Sequence, residues 1–182
     1  SLRESGHDTT YRLDGVSAHL LNFDLNFLLF KYECDITDFI TRFNSLINYP
    51  IESVEVWKGR MEVRRQSINK YLWNEEDGLF YDYNFVTNTQ SHYRSCTNFY
   101  SLWSGFATQH QANKILKNVG LFEQPGGLVS GTKDSLFTTS SPMHSSIKGP
   151  NRQWDYPFGW APHQIIAWEG LSRYGFNVDS SR

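Results

Sequence analysis

The sequence has two cysteines, Cys34 and Cys96, and neither stands in a Cys-x-x-Cys spacing or beside a His-x-x-x-His pair. A disulfide framework and a zinc site are therefore not expected. Basic excess is also missing: 17 Lys and Arg face 19 Asp and Glu, for a net charge of −2. Binding a phosphate backbone depends on releasing counterions from an excess of cations, so nucleic acid is a poor partner for this chain. No uninterrupted apolar run approaches the roughly 20 residues that cross a bilayer, and no membrane partner is expected. The N-terminus lacks the charged-then-apolar pattern of a signal peptide, and no Asn-x-Ser/Thr acceptor occurs anywhere. These absences favour a cytoplasmic location. No repeat, low-complexity tract or Gly/Ser linker divides residues 1–182, which read as one domain or part of one.

What the sequence does have is rings. Aromatic residues make up 16% of it, as 13 Phe, 10 Tyr and 6 Trp, whereas charged residues make up only 20%. Aromatic rings fill cores, and they also stack on the C–H faces of sugars. Composition alone leaves both uses open.

Periodicity predicts a mostly helical chain. From Asp24, an available N-cap, the residues Leu25, Leu28, Leu29, Tyr32, Ile36, Phe39, Ile40 and Phe43 recur at spacings of three and four, predicting a long helix with one buried face. After Pro50, Glu52 and Glu55 suit a first turn, and Val54, Trp57, Met61, Ile68 and Leu72 continue a second helix to about Trp73. Asn74 to Gly78 is a turn signal, and Leu79 to Tyr83 reads as a short extended segment of a hairpin. Short helices are predicted over 99–106 and 109–119, the latter closed by Gly120 at C′. Gln124 to Pro157 is rich in Gly, Ser, Thr and Pro and reads as a long ordered loop. A last helix is expected from Pro162 through Ile165, Ile166 and Leu171 to Gly175.

Two segments have the composition of a site. Arg3-Glu4-Ser5-Gly6-His7-Asp8-Thr9-Thr10-Tyr11-Arg12 lies at one end, and Gln153-Trp154-Asp155-Tyr156-Pro157-Phe158-Gly159-Trp160-Ala161-Pro162 at the other. Glycine lets backbone approach a ligand, indoles offer stacking faces, and a carboxyl group among them can protonate a glycosidic oxygen. Either stretch alone is equally compatible with a helix entrance beside packed tryptophans.

Gln-Trp-Asp-x-Pro-x-Gly-Trp-Ala-Pro at 153–162 resembles the second signature of the trehalases, glycoside hydrolase family 37. Arg-Glu-Ser-Gly-His-Asp at 3–8 resembles the family segment that holds the general acid, in the His-containing form of fungal neutral trehalases. Pro125-Gly126-Gly127-Leu128, followed by Ser130, matches a Gly-rich active-site loop. The resemblance runs through the whole chain. It implies an all-α fold belonging to an (α/α)6 barrel, with short hairpins and long loops between helices, and hydrolysis of α,α-trehalose to two glucose molecules with inversion and no cofactor. By position, Asp8 matches the catalytic acid, and Arg3 and Gly6 match substrate-contacting residues. Trp154 and Trp160 are expected beside the sugar, Gln153 is expected to bind a hydroxyl, and His7, at a position that is Trp in many relatives, reads as a neutral packed histidine.

An inverting glycosidase also needs a base, a second carboxylate about 6.5–9.5 Å from the acid. The resemblance places that glutamate C-terminal to the Gln-Trp-Asp motif and its helix, beyond Arg182, and the family's first signature has no match here. Asp155, in a Trp-Asp-x-Pro turn, is expected to hold its loop by accepting backbone amides rather than to act as the base. Twelve helices of about 12 residues with connections of about 6 need roughly 216 residues, so 182 are too few to close a barrel. The sequence thus reads as a partial catalytic domain, truncated at both ends and inactive alone, with regulatory partners binding outside it; the alternatives are a catalytically silent sugar-binding remnant and a fragment of another inverting (α/α)6 glycoside hydrolase.

Overall fold

The computed structural model describes residues 6–46, 51–137 and 152–176. Helices dominate: α1 (Phe23–Phe43), α2 (Val54–Tyr71), the short α3 (Tyr100–Trp103), α4 (Gln109–Lys117) and α5 (Ala161–Arg173). α1 packs along α2, and α3 lies between α1 and α5. Small antiparallel pairs join them. β2 (Trp73–Asn74) pairs with β3 (Leu79–Phe80) across the Asn74–Gly78 turn, where Gly78 takes φ +68°, as the turn signal predicts. A three-stranded sheet that periodicity does not reveal places β4 (Tyr83–Asn84) between β1 (Leu20–Leu21) and β5 (Thr89–Gln90). Strands of two residues are too short to show alternation.

The buried face of α1 differs from the expected one. Of the expected row Ile40 is buried and Leu28 and Ile36 are half-buried, but Leu25, Leu29, Tyr32, Phe39 and Phe43 are 36–67% exposed, and the fully buried residues are Phe23, Phe27 and Phe30, at most 2% exposed. Helical spacing defines two apolar rows on α1, and only packing chooses between them. The Phe row wins because Phe27 meets Phe80 and Phe106 with ring centroids 4.9 and 5.2 Å apart, and Phe30 meets Phe106 at 5.2 Å. Asp24 is not the N-cap either. Asn22 precedes the helix, and Asp24 sits in the first turn with its side chain turned inward. In α2 the expected row is correct, with Ile68 and Leu72 buried and Val54, Trp57 and Met61 half-buried. Arg65 seals that contact by stacking over Phe30 and Phe106 and donating to the Phe106 carbonyl at 3.1 Å.

α3 is preceded by a 3-10 turn over Cys96–Phe99 and is shorter than the helix expected over 99–106; Cys96 to Leu102 are buried and Trp103 is half-buried. α4 ends at Lys117 in a 3-10 turn, Val119–Leu121, that includes Gly120, so Gly120 is not a left-handed cap. Its start is fixed by a capping box between Thr108 and Gln111. α5 carries Pro162 in its first turn and stops before Gly175 at φ +76°, as predicted, although Ile165 is 53% exposed. Gly170 of α5 touches α3 so closely that a β-carbon would lie 2.9 Å from Leu102 Cβ. Within the predicted long loop, β6 (Glu123–Gln124) and β7 (Gly127–Leu128) form a hairpin. Residues 138–151 of that loop, and Arg3, lie outside the described residues.

The two uses of aromatic residues separate by type. Seven phenylalanines are fully buried and form the centre of the core, while all six tryptophans are half-buried or exposed. Among the described residues, no helix is long and apolar enough to cross a membrane.

Candidate active site

The two motif segments, far apart in sequence, lie side by side and are joined residue by residue. Trp154 N donates to the Thr9 carbonyl at 3.2 Å. Asp155, wholly buried, accepts from Thr10 Oγ1 at 2.7 Å, from the Tyr11 backbone N–H at 2.8 Å and from the Tyr93 hydroxyl. Burial pushes the Asp155 carboxyl up, and the donors from Tyr93, Thr10 and Tyr11, with the charge of Arg152, pull it back. Burial beside Asp155 also raises Tyr93, which keeps its proton for the bond. Asp155 therefore grips its surroundings, as the Trp-Asp-x-Pro turn suggests. Gly131 is part of this arrangement: a β-carbon there would lie 2.2 Å from Tyr93 Oη, so only glycine lets the tyrosine reach Asp155.

Asp8 has a different environment. Its side chain is exposed, and Oδ1 accepts from Gln153 Nε2 at 3.0 Å and from Trp154 Nε1 at 3.3 Å. Trp154 is held in place by its neighbours. Trp160 stacks on it with centroids 4.6 Å apart and planes 19° from parallel, while His7 and His163 meet it steeply at 4.8 and 5.4 Å. Trp160 Nε1 in turn donates to the Gln153 carbonyl at 2.7 Å. The structure thus brings Asp8, Gln153, Trp154 and Trp160 together, and it turns the polar atoms of Gln153 and Trp154 toward Asp8. Gly6 stands next to this cluster, exposed and at φ +79°, a conformation that favours glycine.

Beneath the motifs lies a buried charged layer that sequence reasoning missed. Arg12 forms a fork with Asp82, Nε at 2.6 Å and Nη2 at 2.7 Å, and reaches Asp24 through Nη1 at 2.5 Å. Its guanidinium also lies 4.4 Å from the Phe23 ring centre. Asp82 Oδ1 accepts from the Phe23 N–H, so the cluster pins the start of α1 under residue 12. Burial works against the Asp24 charge, but the Arg12 guanidinium favours it, and the Asp24 carboxyl is lowered overall. No short-range pattern announces a pair as distant as Arg12 and Asp82; the one local hint is an acidic residue among the aromatic and apolar residues 79–83.

His7 and His163 face each other with Nε2 atoms 3.3 Å apart, and His163 Nδ1 lies 3.2 Å from Cys96 Sγ. Burial lowers His7, despite the nearby Asp24, and pushes His163 down to about 4, so both rings are neutral at neutral pH. That agrees with the packed, neutral histidine expected at position 7. The Gly-rich hairpin docks on the second motif through Gln164, whose Oε1 accepts from Leu128 N at 2.8 Å and whose Nε2 donates to Leu128 O at 2.7 Å. Among the described residues, no group of three His, Cys, Asp or Glu side chains is placed to hold a metal ion.

A family profile described as Trehalase matches residues 1–182. The chain belongs to the trehalase family. It is 46% identical over its whole length to the cytosolic neutral trehalase of Saccharomyces cerevisiae and 45% identical to that of Neurospora crassa. It covers 24% and 26% of those proteins, so it spans about a quarter of the length of the curated relatives it matches. The solved neutral trehalase Nth1 of Saccharomyces cerevisiae superposes on 96% of the chain with a TM-score of 0.83 and 45% identity, and 32% of that structure is covered. A glycoside hydrolase family 63 mannosylglycerate hydrolase from Thermus thermophilus shares the fold at a TM-score of 0.65 and 18% identity. The residues of this trehalase-family chain that meet at Asp8 come from the two segments whose resemblance to the family was legible in the sequence.

Proposed function

We propose that this chain supplies the proton-donating side of a site that hydrolyses α,α-trehalose with inversion, as part of a larger (α/α)6-barrel enzyme of the cytosol. The observation that carries this reading is the convergence of Gln153 and Trp154 on an exposed Asp8 from a segment 145 residues away. Matches to proteins named cytosolic neutral trehalase support the substrate and the location.

In this reading Asp8 transfers a proton to the glycosidic oxygen as the bond from that oxygen to the attacked anomeric carbon breaks. Water adds to that carbon from the opposite ring face and gives its proton to a carboxylate from outside residues 1–182. One glucose leaves as the α anomer, and the attacked one is released as the β anomer. The family resemblance gives Arg3 and Gly6 the role of substrate contacts, and Trp160, with the open edge of Trp154, borders the sugar. Asp155 is not the base: its oxygens are engaged by three donors, and it is shut off from solvent.

The test is made on the enzyme encoded by the complete gene. Proton NMR at early times should show α- and β-glucose forming in equal amounts from trehalose, and Asp8→Asn should lower turnover by about 10²–10⁴-fold without changing the melting temperature. Retention of a tenth of the turnover in Asp8→Asn would remove the acid assignment, and two α anomers would remove inversion.

A further inference from the structure

The reading of Asp8 as the acid leaves open which of its oxygens delivers the proton. Both N–H groups that reach Asp8 end on Oδ1, and among the described residues Oδ2 takes no hydrogen bond. A carboxyl oxygen that already accepts two N–H bonds has no room for a proton of its own, because the O–H would point at donors. The neutral acid must therefore carry its proton on the other oxygen.

We propose that Gln153 and Trp154 are positioning residues for the acid, holding Oδ1 of Asp8 so that Oδ2–H is the group presented to the glycosidic oxygen. This rests on the assignment of Asp8 as the acid and departs from the expectation that Gln153 binds a sugar hydroxyl. The two donors do more than orient. When the Oδ2–H bond breaks and the proton joins the glycosidic oxygen, the pair of electrons stays on the Asp8 carboxylate, and both N–H groups already face the charge that develops there. Hydrogen bonds to a charged group are stronger than those to a neutral one, so the contacts favour the transition state over the ground state.

The indole donor is locked by its neighbours, and the amide donor stands on a fixed stretch of backbone. The Trp154 ring is stacked on Trp160 and hemmed in by His7 and His163, and its backbone N–H is tied to Thr9. Trp160 fixes the Gln153 carbonyl. Asp155 then locks residues 10 and 11 against the same strand of chain. Residues 153, 154 and 155 thereby address residues 8 to 11 in register, and the oxygen selected on Asp8 follows from that register.

The complete enzyme tests this with Trp154→Phe, which keeps a ring and removes the N–H, and Gln153→Met, which keeps length and removes the amide. Each should lower kcat about tenfold, the equivalent of one hydrogen bond to a charged group, with KM within about twofold. The alkaline limb of the kcat–pH profile should move upward by roughly half a pH unit to one pH unit, because the deprotonated acid loses a donor. Gln153→Glu, which sets a second carboxylate against Asp8, should move the same limb further in the same direction. A rise in KM with an unmoved limb would assign the two residues to the sugar and overturn the proposal. A fall in melting temperature and kcat with an unmoved limb would make them structural and overturn it as well. Turnover surviving in Asp8→Asn would overturn the acid assignment and this proposal together, whereas an inactive Asp8→Asn beside unmoved limbs would overturn this one alone.

Discussion

Asp8 and Asp155 belong to the two motifs that meet at the same seam, and each accepts hydrogen bonds from the opposite motif. Asp8 is exposed, with both donors on one oxygen, whereas Asp155 is fully buried and its two oxygens are shared among a hydroxyl, a phenol and a backbone amide. A carboxylate saturated by fixed donors and cut off from solvent holds backbone in place; one with a free oxygen on an open surface can exchange a proton with a ligand. Two identical side chains are thus set apart by exposure and by the count of donors. Exposure also separates the seven fully buried phenylalanines at the centre of the core from the tryptophans, none of which is fully buried.

The sharpest way to break the comparison is to remove each carboxylate and measure stability. Asp155→Ala leaves the Thr10 and Tyr93 hydroxyls and the Tyr11 N–H buried without a partner, at about 1–3 kcal/mol for each unsatisfied group, so unfolding by urea should show a loss of about 3–5 kcal/mol. Asp8→Ala, at an exposed site, should stay within about 0.5 kcal/mol of the parent. Equal losses would erase the distinction.

Acid should weaken the seam next. His163 is 4% exposed and its pKa falls from the ordinary 6.5 to about 4, so between those values the unfolded chain binds the proton that the folded chain refuses. Stability should decline as pH falls through that window, by on the order of 3 kcal/mol from this residue, and the slope from this source should vanish below about pH 4. Denaturant midpoints measured from pH 7 to 4 would show this decline, and His163→Gln should flatten it.

The smallest effect sharpens the role of Tyr93. Gly131→Ala would place a methyl group 2.2 Å from Tyr93 Oη and push the tyrosine off Asp155, at a cost of about 1–3 kcal/mol. Because Gly131 does not have a positive φ, that cost measures the close approach and not backbone strain. A neutral result would mean that the Tyr93 contact contributes nothing to holding the seam.

Much of the scaffold was legible in the residues. The Asn74–Gly78 turn, the α2 row and the limits of α5 follow from local rules: glycine at positive φ, apolar spacing on a helix, and proline in a first turn. Their outcomes depend on neighbours in sequence, which the chain states directly. The motif resemblance likewise located the segments that meet at Asp8. The buried face of α1 was legible only in part, because the Leu25–Phe43 row and the Phe23, Phe27 and Phe30 row satisfy the same helical spacing and the choice is made by Phe80 and Phe106, distant in sequence.

By itself, then, the sequence determined where helices run, where the chain turns and which two segments have the residue types for sugar chemistry, since each of these is decided within a few residues. Only the tertiary structure decided that Arg12 joins Asp24 to Asp82, that Asp155 is a strut, and that Gln153 and Trp154 present their N–H groups to Asp8. Those outcomes are relations between residues up to 146 positions apart. A buried polar atom pairs with whichever partner the packing brings within about 3 Å, and no local spacing encodes that.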